Sequence, residues 1–226
     1  MAEIISKYFP HVVTKLPEFY KSIGQTFQMV LWSGIISLVL GLVIGITLVV
    51  TKKDGILQNL AVYQVTDKLI NLFRSIPFII LLTGVMPLTR LIMGTAIGVR
   101  GAIVPLIFGT VPFFSRQIES ALSQVSPGLI EAAQSMGNGR LEIILNVYLR
   151  ESIPQIARAV SITAISLIGL TAMAGVVGAG GLGDFAVRYG HDRNQTDVTL
   201  ATVIVLVVIV SIIQLVGNLI AKRHSH

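Results

Sequence analysis

Gly178, Gly180 and Gly183 stand at the spacing of a dinucleotide-binding turn, in the run Gly178-Ala179-Gly180-Gly181-Leu182-Gly183. That chemistry needs a strand before the glycines and a helix after them, so that bare backbone amides meet a pyrophosphate. Here the glycines close an uncharged stretch over residues 159–183, and no Walker A sequence occurs in the chain. They are therefore read as places where the backbone turns or helices approach closely. Gly41 and Gly45, spaced as GxxxG, are read the same way, as packing within the subunit. The histidines His11, His191, His224 and His226 form no metal-spaced cluster, and the absence of cysteine removes thiolate ligands, disulfides and cysteine nucleophiles together. The expectation is a chain that catalyses nothing and binds no cofactor or metal itself.

The composition says what kind of scaffold holds these residues. Of 226 residues, 53% are hydrophobic and 12% charged, with a mean hydropathy of +0.81. A soluble domain carries about 25% charged residues, and a globule this poor in polar side chains could not cover its surface. The net charge of +6 comes from 17 Lys and Arg scattered between apolar stretches, which suits lipid headgroups better than nucleic acid.

A membrane-crossing helix needs roughly 20 mostly apolar residues. Residues 22–51, 159–183 and 198–221 are uncharged and long enough to cross alone. Residues 75–89 and 101–115 are shorter and cross only if Arg74, Arg90, Arg100 and Arg116 lie near the interfaces. The run at 22–51 exceeds a cleavable signal core and is expected to be retained. The expected fold is all-α, a polytopic membrane protein with five transmembrane helices in one domain over residues 1–226. Placing Lys52, Lys53, Arg140, Arg150, Lys222 and Arg223 inside puts the N-terminus outside and the C-terminus in the cytoplasm. Lys7, Lys15, Lys21, Arg90, Arg100, Arg188 and Arg193 then fall outside. Before the first span, Ile4, Ile5, Tyr8, Phe9, Val12 and Val13 have a helical period interrupted by Pro10 and Pro17, and are read as a surface-lying segment.

Candidate pathway or gate residues are those that break or thin a span. Pro77, Pro105 and Pro112 each remove a backbone donor and can kink a helix, and Pro77 is retained as a pathway candidate. Met173, with Ser166, Thr171 and Ala172, offers small or flexible surface midway along the fourth span. Lys68 and Arg74 flank the second span, with Asp67 beside Lys68, and snorkelling accounts for both cations.

The longest loop, over about 117–154, has its own local order. Ser126-Pro127 reads as an N-cap with proline at the first helical position, and Gly137 reads as a stop. Leu129, Ile130 and Ala133 share an apolar face of that short helix. Asn138 is expected to cap a second helix, with Leu141, Ile144, Leu145 and Tyr148 on one side. The helices need a partner, or else lie on headgroups or on their own bundle.

Glu131-Ala132-Ala133, with Gly137 after three further residues and Val147-Tyr148-Leu149 beyond, resembles the EAA loop of ABC importer permeases. The family's proline falls here on Arg150, and the nearest proline is Pro154. The resemblance implies a coupling helix that docks on a separate ATPase subunit, with Glu131, Ala132, Ala133 and Gly137 as the coupling residues. NLFRSIPFIILL at 71–82 and GVVGAGGLGDFAVRYG at 175–190 look like the branch that imports methionine. Such permeases are homodimers served by two cytoplasmic ATPases, which use the ATP, and by an extracytoplasmic substrate-binding protein or lipoprotein. The implied activity is methionine import, L- or D-, by alternating access. Another small amino acid or organic ligand is the nearest alternative. A partner-free ion-coupled carrier is disfavoured because the three long spans contain no acidic residue or histidine. A scaffold or sensor without transport is separable only by experiment.

Overall fold

The computed structural model describes residues 8–224, and these are helical, with no strand among them. Helices α1 (Pro10–Val13) and α2 (Leu16–Thr51) are followed by α3 (Leu60–Ser75), α4 (Phe78–Gly84), α5 (Met86–Met93) and α6 (Gly98–Leu122). Then come α7 (Pro127–Ser135), α8 (Arg140–Glu142, continuing as a wider π-helical stretch over Ile143–Leu149) and α9 (Ile153–Ala174, ending in a π-helical stretch over Gly175–Ala179). The last are α10 (Gly181–Phe185, widening over Ala186–His191) and α11 (Thr196–His224).

Four stretches are long and apolar enough to cross a membrane: Leu16–Thr51, Gly98–Leu122, Ile153–Ala179 and Thr196–Arg223. They correspond to four of the five expected spans, each beginning before its uncharged core, and the third ends at Ala179, short of the glycines at 180–183. At 1.5 Å per residue the 36 residues of α2 measure roughly 54 Å, well over the ~30 Å hydrocarbon layer. Four of its hydroxyls return to their own helix, Ser22 to Glu18, Ser33 to Met29, Thr47 to Val43 and Thr51 to Thr47, which satisfies those four without water. The fifth expected crossing is not a single helix. Ile76 (ψ 122°) and Pro77 (ψ 136°) are extended, because proline lacks the amide that would continue the ladder and pushes its predecessor out of the helical region. Pro105 and Pro112, by contrast, lie inside an unbroken α6.

Backbone contacts separate two compact units. The first comprises the described part of Met1–Ile35, with Pro77–Phe108 and Ala164–Ile213. Val12, Phe19, Leu182, Phe185 and Val198 are buried together there. This corrects the expectation for the N-terminal segment: Val12 is 5% exposed and packs on its own bundle, and Pro10 opens α1 where it was expected to interrupt a helix. Ile4 and Ile5 lie outside the described residues. The second unit comprises Ile36–Ile76, Gly109–Thr163 and the described part of Gln214–His226. Its core holds Val49, Phe114, Ile118, Leu122, Val125, Ala133, Ile143, Tyr148 and Ala159. Gly41 and Gly45 let α2 meet α6 in this unit: a Cβ on Gly41 would lie 2.7 Å from Phe114 Cδ1, and one on Gly45 2.6 Å from Ile118 Cβ. The GxxxG pair thus packs within the chain.

Candidate functional site

Helix α7 begins at Pro127, with Ser126 extended before it (ψ 129°), and ends in a left-handed residue, Gly137, at φ +82°. The Asn138 amide donates to the Ala133 carbonyl over 3.1 Å and the Gly137 amide to the Gln134 carbonyl over 3.0 Å, closing a Schellman motif. The next helix is capped differently from the expectation. Gly139, not Asn138, occupies the N-cap, and its amide donates to Glu142 Oε2 over 2.8 Å. A carboxylate three residues into the helix reaches an orphan donor that the side chain of Asn138 does not.

Burial divides the loop residues. Ala133 is 2% exposed and Ile130 packs beside it, so these two pin α7 to the core of the second unit. Glu131, Ala132 and Gly137 are exposed, and nothing lies within 4 Å of where a Cβ on Gly137 would stand. In α8 the buried residues are Ile143, Ile144 and Tyr148, whereas Leu141 and Leu145 are 72% and 60% exposed. The single face expected over Leu141, Ile144, Leu145 and Tyr148 is split because a π-helical pitch rotates the register away from 3.6 residues per turn. Burial pushes the Tyr148 phenol up from its ordinary value, so it stays neutral. The chain remains helical through Arg150, and the break comes at Ser152, one residue before α9, whose second residue is Pro154. Ser152 Oγ donates to the Ala121 carbonyl over 3.3 Å and ties this break to the end of α6.

The pathway candidates fall in the first unit. Ser166, Thr171, Ala172 and Met173 share α9, and Pro77 sits at the break before α4. Thr171 is 2% exposed and its hydroxyl donates to the Ile168 carbonyl over 2.7 Å, while Met173 is 40% exposed and faces away from the unit's core. Ala172 abuts the glycine turn: a Cβ on Gly183 would come 2.2 Å from the Ala172 carbonyl oxygen. Gly178 (φ +94°) and Gly180 (φ +81°, ψ −162°) supply the reversal that lays α10 against the end of α9. The first turn of α10 is held by α2, because Gly181 donates its amide to Gln25 Oε1 and Leu182 to Thr26 Oγ1, each over 2.9 Å. These glycines serve a turn between helices.

One polar cluster has no counterpart in the sequence reading. Arg116 on α6 donates to Asp67 Oδ1, to Asn71 Oδ1 over 2.9 Å and to Glu119 Oε2 over 2.6 Å, and Asn71 donates to Asp67 Oδ2 over 3.1 Å. Asp67 thus pairs with a residue 49 positions away and not with its neighbour Lys68. Half-buried, this cluster ties α3 to α6 in the second unit. Among the described residues no three His, Cys, Asp or Glu side chains come together to hold a metal.

Residues 37–226 match the family described as Binding-protein-dependent transport system inner membrane component. The chain is 46% identical to the "Probable D-methionine transport system permease protein MetI" of Vibrio cholerae serotype O1, over 89% of this chain and 90% of that one. It is 41% identical to the methionine import system permease protein MetP of Bacillus subtilis, over 97% of this chain and 98% of that one. A crystal form of the MetNI methionine ABC transporter in inward-facing conformations matches at TM-score 0.91 and 39% identity, covering 94% of this chain and 99% of its own. A family pattern that spans most of the sequence, carried on helices of matching course, identifies the chain as a member of the binding-protein-dependent transport system inner membrane components.

Proposed function

We propose that the chain is the membrane permease of an ATP-driven methionine importer, residues 1–226 acting as one permease domain in a homodimer. The observation that carries this reading is the identity of 39 to 46% to methionine permeases along nearly the whole chain, with a structural match of TM-score 0.91. Two cytoplasmic ATPase subunits bind and hydrolyse the ATP. An extracytoplasmic binding protein delivers the amino acid. Helix α7 is the coupling element: it offers Glu131, Ala132 and Gly137 to the ATPase, while Ala133 anchors it to the permease. Closure of the ATPase pair moves the two coupling helices and exchanges two packed states of the spans, with Met173, Ser166, Thr171, Ala172 and Pro77 along the pathway. The fifth crossing is the broken stretch formed by α4 and α5, whose Ile79, Ile80, Leu88, Leu91 and Ile92 are exposed as lipid-facing side chains would be. The N-terminus is outside and the C-terminus cytoplasmic.

The test is uptake in cells deleted for their own methionine transport. Expression of the chain with its ATPase and binding protein restores ATP-dependent accumulation of labelled methionine. Accumulation that survives a hydrolysis-dead ATPase, or that occurs for another amino acid and not for methionine, refutes the reading.

A further inference from the structure

A cavity of about 240 Å³ lies wholly within the first unit, where the start of α2 meets the glycine turn and α10. Glu18, Lys21, Ser22 and Gln25 line it from one face of α2, three, four and seven residues apart. Asp184 and Arg188 line it from α10 and its continuation, paired with each other over 3.0 Å. Gly178, Gly180 and Gly98 leave the space unfilled, and a Cβ on Gly180 would come 2.8 Å from Gln25 Oε1. Tyr189 forms a further wall, its ring held by Phe185 at 5.1 Å and by Lys15 Nζ at 4.6 Å from the centroid.

We propose that this cavity binds the zwitterionic head of a free α-amino acid, the carboxylate taken by Lys21 and Arg188 and the ammonium by Glu18 and Asp184. The lining carries equal numbers of cations and anions. A simple anion would therefore meet Glu18 and Asp184, a simple cation would meet Lys21 and Arg188, and only a ligand bearing both charges complements the ring. The volume is below the roughly 300 to 1,000 Å³ of sites for drug-sized ligands, which suits a small amino acid. Its walls include the first turns of α2, the end assigned to the outside, so the pocket would receive substrate on arrival. The identity of the amino acid as methionine rests on the importer reading; the charge pattern does not.

The experiment is photo-cross-linking of the permease–ATPase complex, without binding protein, by a diazirine analogue of methionine that retains both the amino and the carboxyl group. The label maps to peptides containing residues 18–25 or 178–189. Methionine protects against it, while methionine methyl ester and N-acetylmethionine, each lacking one charge, do not. Lys21→Gln and Asp184→Asn each weaken labelling about tenfold, the loss expected for one charge-assisted hydrogen bond. Glu18→Gln, at an exposed side chain, gives the same result without disturbing the ion pair of Asp184. Labelling that the variants leave unchanged, that both blocked analogues suppress equally, or that only the binding protein suppresses overturns the inference. Methionine uptake with no labelling of this pocket overturns it and leaves the importer reading standing. Labelling protected by another amino acid, with no methionine uptake, supports the pocket and refutes methionine as the substrate.

Discussion

Thr26 Oγ1 accepts the Leu182 amide over 2.9 Å, joining residues 156 positions apart. Thr26 is 5% exposed and Leu182 1%, so no water replaces this acceptor if it is removed. Thr26→Val keeps the shape and leaves a buried amide unpaired, at about 1 to 3 kcal/mol; Thr26→Ser keeps the acceptor. Thermal unfolding of the purified complex in detergent should therefore fall for the valine variant and stay close to wild type for the serine variant. Equal behaviour of the two would mean that the hydroxyl contributes only volume.

The absence of cysteine makes single-cysteine labelling clean. Arg193 lies in the turn before α11 and Lys53 in the turn after α2. With the N-terminus outside and five crossings, Arg193→Cys should react with an impermeant maleimide on intact cells and Lys53→Cys only after permeabilisation. The reverse pattern would invert the orientation. Labelling of both from outside would change the count of crossings.

What the sequence discloses follows from how local each signal is. The ends of α7 were legible because Pro127 and Gly137 act through their own backbone, and the GxxxG at Gly41 and Gly45 because helix contact needs only two missing side chains in register. Nothing local separates Pro77, which breaks a helix, from Pro105 and Pro112, which do not: each follows a β-branched residue, Ile76, Val104 or Val111. Arg116 with Asp67, and Thr26 with Leu182, are juxtaposed by packing between elements, which hydrophobic period does not encode. The resemblance to the EAA loop named Glu131, Ala132 and Ala133 alike, and only burial separates the anchor Ala133 from its exposed neighbours.

Gly137 at φ +82° has open space around it, so a substitution there tests backbone conformation without a clash inside the chain. Valine in the left-handed region costs about 1 to 2 kcal/mol, whereas asparagine tolerates it. Gly137→Val should loosen the end of α7 and reduce co-purification of the ATPase and ATP-dependent uptake. Gly137→Asn should retain most of both if conformation alone matters. Loss in both variants would point instead to close approach of a partner at this residue.

The last prediction concerns charge at the same surface. Glu131 is exposed on α7, one turn before the Schellman end, and the bond its residue accepts from Ser135 Oγ over 2.9 Å goes to the backbone carbonyl, so a change of side chain leaves that bond in place. Glu131→Lys reverses the charge there and leaves the buried Ala133 anchor in place. The variant should insert, dimerise and unfold at the wild-type temperature, yet bind the ATPase about tenfold or more weakly, as expected when a carboxylate at an interface becomes a like charge to its partner. Glu131→Gln, which removes the charge without reversing it, should lie between the two. Raising salt should narrow the gap between wild type and the lysine variant, because screening weakens attraction and repulsion alike. An unaltered ATPase affinity across the series, at low and high salt, would remove Glu131 from the docking surface and leave α7 to couple through its backbone and Gly137 alone.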